Sequence, residues 1–494
     1  MRGTIAENAI AKLEIDPPRR LAVGRGSAFV IGGYCYHPAA ATRALAVQLG
    51  EERQSVERFR LPREDVFGQL PEDAAGRPYA FRSGFVAMPT LVPISTAGNV
   101  ELSLVMALAD GEEKSVPLGR IRLDPTLAAP SAATERPFPG SGPQVAICMA
   151  TYNPPPELLR RQLDSVRAQS HGNWLCLISD DYSSEEGFEG LRAEVAGDER
   201  FVVDRNTRRL GFYGNFERAL SMAPPSADYV TLCDQDDRWH PEKLERLLER
   251  IADGAQLVYS DARVVDPQGN LIHDSYWSQR RNNYTNFASL LLANSVTGAA
   301  SLFRRELLDD VLPFPPKLDQ GAFHDHWLAT VALSLGRIDY IEEPLYDYVQ
   351  HQGAVIGHST ANRIPKPVRQ HLIERLRNPG EGSRIAYYYK WYQQRLFAQV
   401  LRLRCSERMA PAKRRVLRRL LSADDGVAGI AWLLARRLRR LWGHDETLDR
   451  ELLYAYALLR RRAVSAWTLG RRRPGRWLSR DASIPPAPTQ GGST

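Results

Sequence analysis

The chain has 494 residues, 43% hydrophobic and 25% charged, with a net charge of +7. This is the balance of an ordinary soluble chain, with room for about three domains and several buried cores. The five cysteines (Cys35, Cys148, Cys176, Cys233 and Cys405) are odd in number and show no CxxC spacing, which excludes a disulfide framework and points to a reducing compartment.

The N-terminal stretch carries acidic residues and no apolar run, so no secretory signal is expected. The longest uncharged run, Tyr284 to Phe303, is interrupted by Asn286, Asn294, Ser295, Thr297 and Gly298. It falls short of the roughly 20 predominantly apolar residues of a membrane span. The expected location is cytoplasmic. The mild positive charge suits anionic substrates, a membrane surface or nucleic acid without choosing among them.

Residues 1–124 read as a β-rich accessory domain. Val100 to Leu108 partly alternates apolar and polar positions, and Ala28 to Ile31 and Phe85 to Met88 are short apolar runs bounded by turn residues. Several short strands separated by turns suggest a small sandwich or barrel. Residues 125–143, rich in Pro, Ala, Ser and Gly, read as a linker.

Over residues 144–360 the pattern becomes α/β. Apolar strands are expected at Val145–Met149, Trp174–Ile178, Tyr229–Cys233 and Leu257–Tyr259, with a helix over Glu157–Gln169. Strands alternating with helices imply a parallel sheet covered on both faces. Ligands of such sheets lie beyond the carboxyl ends of the strands. Thr151, Asp180, Asp181, Asp234 and Asp236 all fall there.

Residues 361–480 form a basic helical region, with arginine runs at Ala435–Arg440 and Leu459–Arg462, and residues 481–494 have the composition of a disordered tail. The arginines read first as the solvated face of a helical bundle. Contact with anionic lipid at the inner membrane face is the second reading. The basic runs lack interleaved stacking aromatics, so no nucleic-acid partner is expected.

Chemistry concentrates in Cys233-Asp-Gln-Asp-Asp-Arg-Trp-His-Pro-Glu-Lys-Leu244, where a strand runs into three carboxylates within four positions. Crowded carboxylates repel unless a positive charge joins them. Mg²⁺ or Mn²⁺ fits, because such ions take oxygen ligands and share them with phosphates. An acidic loop capping the following helix is the alternative. The second cluster is Phe323-His-Asp-His-Trp-Leu328, where Asp325 opens an apolar helix as a general base or as its N-cap. His324, His326, His351 and His358 gather in the same half of the chain.

These segments resemble the family 2 glycosyltransferases, and among them the rhamnosyltransferase-like members. Val145 to Pro154 is similar to the family's opening strand and TYN turn, Leu163 to Gln169 to its first helix, and Ile178 to Ser183 to its DD-x-S turn. Asn206 to Phe216 is similar to the segment before the DxD strand, Asp234 to Leu244 to the DxD segment, and Val296 to Ala300 to the acceptor-side turn. Six landmarks in order carry more weight than any one.

The resemblance implies a GT-A fold: a Rossmann-like nucleotide-sugar-binding domain between a β-sandwich-like N-terminal domain and a C-terminal helical region. It implies an inverting transfer with a divalent metal, from a dTDP- or UDP-linked donor to a glycan or lipid-linked acceptor. Donor contacts would come from Thr151, Tyr152, Asn153, Asp180, Asp181, Arg208 and Asp234. The metal would be held by Asp236 and His351, and Asp325 would be the base. Tyr346 to His358 resembles the closing loop, with Val349 and Ala354 departing from its pattern. Rhamnose is the first expectation for the sugar, with a UDP-hexose as alternative. A non-catalytic glycan-binding scaffold is the reading from another class. A nucleotidyltransferase ranks low, because the first turn lacks a glycine-rich phosphate loop.

Overall fold

The computed structural model describes residues 9–56, 58–128, 136–277, 282, 284–319, 321, 323–351, 381–444, 446–467 and 484–485. His358 and the closing loop past His351, residues 129–135 of the 125–143 segment and the 486–494 tail lie outside the described residues.

The N-terminal region is a two-sheet β structure. Ile10–Ile15, Ile31–Tyr36, Gly84–Ala87 and Arg58–Leu61 form one sheet, and Arg20–Ala22, Glu113–Asp124, Gly98–Leu108, Thr42–Leu49 and Glu52–Ser55 form the other, each in that order. The alternation expected at Val100–Leu108 has its reason here. Leu102, Leu104, Met106 and Leu108 point inward and are at most 1% exposed. They meet Phe29, Ile31, Val47 and Phe85 in one apolar core.

The central sheet is built on Val145–Thr151. Trp174–Asp180 and Tyr229–Cys233 pair with it in parallel on either side, and Phe201–Arg205 lies beyond Trp174–Asp180. Their continuous apolar runs reflect burial on both faces. The sheet departs from the all-parallel expectation past Tyr229–Cys233. There Ser301–Arg304 inserts antiparallel between that strand and Leu257–Val265, which pairs in parallel with Ile338–Val349. The short helix Phe287–Leu292 and the 3₁₀ turn Gly298–Ala300 bring the chain back into the sheet, and the four residues that follow run the opposite way. This mixed sheet is consistent with the GT-A fold that the family resemblance implies, and its carboxyl edge carries the acidic residues.

The C-terminal helices pack onto the central domain. Phe397, in Tyr392–Cys405, contacts Trp327 with ring centroids 5.2 Å apart. At the end of Val427–Arg437 and in the turn Leu438–Trp442 the arginines are not solvated as expected. Arg437 pairs with Asp449 at 2.6 Å, Arg439 with Glu446 at 2.9 Å and Arg440 with Asp449 at 3.4 Å. Buried carboxylates need charge partners, and these acidic residues draw the arginines inward. The five cysteines are free and buried. Among the described residues no helix is long and apolar enough to cross a membrane.

Candidate functional site

Two groups of acidic side chains meet at the carboxyl edge of the sheet. In the first, Asp180 is fully buried and accepts hydrogen bonds from the Thr151 hydroxyl at 3.2 Å and the Ser183 backbone N–H at 3.0 Å. Asp181 accepts the backbone N–H groups of Leu210 at 2.6 Å and Gly211 at 2.8 Å. Those donors open the helix Gly211–Ser221, where free N–H groups attract a carboxylate. Asn153, in the left-handed region at φ +40°, accepts from the Ser184 N–H at 2.8 Å.

Tyr152 forms the open side of this wall. Its backbone N–H donates to the Gln235 side chain at 2.8 Å, which ties the first turn to the acidic loop. Arg208 and Arg209 are both exposed, and Arg209 lies 3.9 Å over the Tyr152 ring.

The second group is Asp234, Asp236 and Asp325. Burial first, then the charges of Asp236 and Asp325, push Asp234 up to about 7. Both neighbours act on one carboxyl group, so all three lie close together. Burial pushes Asp325 up to about 7 as well, against hydrogen bonds from the His326 and Gly298 backbone and the Asn294 side chain. Asp325 is not the N-cap of its helix. Phe323 holds that position, and Asp325 sits in the first turn with its oxygen 2.6 Å from the His326 N–H.

His351 Nε2 lies 2.8 Å from Asp236 Oδ2, and this bond raises the His351 pKa. The other described histidines of the group do different work. His326 Nε2 contacts the Leu290 carbonyl at 2.6 Å. His324 stacks on Phe216 at 3.9 Å, and burial, then Lys317, lowers it to about 3, so it is neutral at physiological pH. Asp237 is buried beside Asp234 and is held well above the usual carboxylate range by that burial. Lys243, lowered by burial to about 7, lies near both and donates to the Ala299 carbonyl at 2.5 Å.

Among the described residues no group of three or more His, Cys, Asp or Glu side chains is poised as a metal cage. Asp236 with His351 nevertheless fits a divalent ion that completes its shell with phosphate oxygens and water. Asp234 is raised by burial first and by its carboxylate neighbours second, so a cation bound there would lower it.

Residues 146–312 match the model of Glycosyl transferase family 2. This domain belongs to that family. Over 209 residues the chain is 22% identical to an uncharacterized glycosyltransferase of Methanocaldococcus jannaschii, covering 42% of this chain and 70% of that protein. It is 28% identical over 131 residues to the amylovoran biosynthesis glycosyltransferase of Erwinia amylovora, covering 24% of this chain and 42% of that one. Among solved structures, S. aureus TarS 1–349 in complex with UDP-GlcNAc matches with a TM-score of 0.38 and 15% identity, covering 65% of this chain and 92% of that one.

In this glycosyltransferase domain several supporting residues carry no sequence signal of their own. Asn215 donates to the Thr151 and Ser179 carbonyls at 3.1 and 3.0 Å and so pins two strand ends together. Gly298 sits in a tight space. A Cβ there would lie 3.0 Å from His324 Nε2 and 3.3 Å from Leu232 Cδ1. Asn294, Gln235 and Lys243 lie within or beside matched segments, but only the folded chain shows what they hold.

Proposed function

We propose that the chain is an inverting, metal-dependent hexosyltransferase of surface polysaccharide synthesis. It moves a sugar, rhamnose by the family resemblance, from a dTDP- or UDP-linked donor to a glycan or lipid-linked acceptor. The reading is supported by one observation: Asp234 feels the charges of both Asp236 and Asp325, so the cation candidate and the base candidate lie near the same carboxyl group.

In this reading Tyr152, Arg209 and the loops held by Asp180 and Asp181 bound the nucleoside. Arg208, exposed on the same loop, reaches the donor from outside. Asp234 receives hydroxyl groups of the donor. Asp236 and His351 would hold the divalent ion, which when bound neutralises the departing diphosphate. The acceptor hydroxyl passes its proton to Asp325 while its oxygen bonds the anomeric carbon and the bond to the diphosphate breaks on the opposite face. A carboxylate with a pKa of about 7 is matched to that task at neutral pH.

The test is a donor panel of dTDP- and UDP-sugars with Mg²⁺ or Mn²⁺, read as nucleotide release and product stereochemistry. Asp236→Ala is expected to weaken metal and donor binding together. Asp325→Asn is expected to bind donor normally and transfer nothing. Full transfer by Asp325→Asn removes the base assignment, and donor binding without turnover across the panel favours the scaffold reading.

A further inference from the structure

The cleft accounts for the acidic residues but leaves the far side of the helical region unexplained. The helix Val427–Arg437 buries Ile430 and Leu433 against the core, yet it and the 3₁₀ turn Leu438–Trp442 carry a second apolar set that is not covered. Their arginines turn inward onto Glu446, Asp449 and Glu451. The second apolar set turns outward: Val427, Leu434, Leu438, Leu441 and Trp442 are 71, 40, 56, 77 and 70% exposed. Successive separations of seven, four and three residues keep Val427, Leu434, Leu438 and Leu441 on one face, the last step because positions i and i+3 eclipse in a 3₁₀ turn. A contiguous apolar stripe of this kind marks an interaction surface.

The preceding helix, Pro411–Leu421, supplies a complementary charge. Arg414, Arg415, Arg418 and Arg419 are exposed, and no ion pair involves them among the described residues. Both segments rest on one support, the helix Phe287–Leu292. Pro411–Leu421 packs on it, and Arg436 and Arg439 donate to its Ser289 hydroxyl at 2.6 and 2.7 Å.

We propose that this surface docks on an anionic lipid membrane. The leucines and Trp442 enter the headgroup boundary, where tryptophan is favoured, and the four arginines meet lipid phosphates. A second copy of the chain is the poorer occupant, because it would bring the same unpaired arginines together. The docking does not depend on the transferase reading. It does bear on it: just past the supporting helix, Asn294 bonds Asp325, so one short helix links the docking segments to the base candidate.

The experiment is co-sedimentation of the full chain with phosphatidylcholine vesicles, with and without phosphatidylglycerol. The chain is expected to pellet with the anionic vesicles and release as salt rises. L441E/W442E, at two strongly exposed positions, is expected to weaken partition by about tenfold or more with unchanged thermal stability. R414E/R418E is expected to weaken it on anionic vesicles and flatten the salt dependence. Absence of partition in the unaltered chain overturns the proposal. So does unchanged partition in L441E/W442E, which would mean adsorption by charge alone. A dimer in sedimentation velocity that L441E/W442E dissolves would instead assign the face to a second copy.

Discussion

The two acidic groups at the carboxyl edge of the sheet are alike in residue type and sequence setting, yet their physical states are opposite. Asp180 and Asp181 are saturated by backbone N–H and hydroxyl donors. Asp234 and Asp325 are both pushed up to about 7 by burial, and Asp234 further by its carboxylate neighbours. At Asp180 and Asp181 the donors hold a loop in place; at Asp325 burial outweighs the donors it has, so the carboxyl group keeps its proton to higher pH. Such an aspartate declares its role through the balance of burial and donors rather than its position.

The largest expected contrast is between Asp325→Asn and Asp181→Ala. The first should lower transfer by roughly 10²–10⁴-fold, the usual contribution of a general base, with little change in the unfolding midpoint. The second strands two backbone N–H groups at a helix start and should cost about 2–3 kcal/mol in urea unfolding. Equal stability losses in both variants would erase the distinction.

The next contrast is pH. Asp234 and Asp325 have folded values of about 7, above the value of about 4 for an unfolded aspartate. The stability they contribute is therefore fully present below about pH 4 and lost as pH rises through about 7. Without metal, the urea midpoint should fall between pH 5 and 8, and less steeply in Asp325→Asn. Transfer should move the other way, rising with pH as Asp325 loses its proton. A flat stability profile would show that the carboxylates are satisfied after all.

Smaller effects are expected at the supports. Gly298→Ala places a methyl group 3.0 Å from His324 Nε2 and next to Asp325. It should cost about 1–3 kcal/mol of stability by overpacking and lower kcat more than it raises KM. Arg209→Ala removes the cation over the Tyr152 ring. The loss of about 0.5–1 kcal/mol should appear as a two- to fivefold higher donor KM with kcat unchanged.

Much of this architecture was legible in the chain itself. The runs at Val145, Trp174, Tyr229 and Leu257 are strands, and their acidic ends converge. The antiparallel Ser301–Arg304 was not legible, because four residues show no period. Nor was the inward turn of Arg436, Arg437, Arg439 and Arg440. A charge pattern reads as solvent-facing until its partners are known, and Glu446, Asp449 and Glu451 lie in the next stretch of chain. The donors to Asp325 were hidden for a related reason: Asn294 and Gly298 reach it only through the fold.

A single guanidinium carries a practical consequence for anyone dissecting this chain. Arg404 donates to the carbonyls of Gly26 at 2.7 Å and of Asp310 and Pro313 at 2.8 Å each, while Gly24, at φ +58°, leaves no room for a Cβ against Pro313. The amino-terminal sheets, the sugar-transfer fold and the carboxyl-terminal helices are thus keyed into one another like stones of an arch. Trimming away residues 1–124 should yield an insoluble fragment rather than a minimal enzyme, so kinetic work belongs on the whole polypeptide.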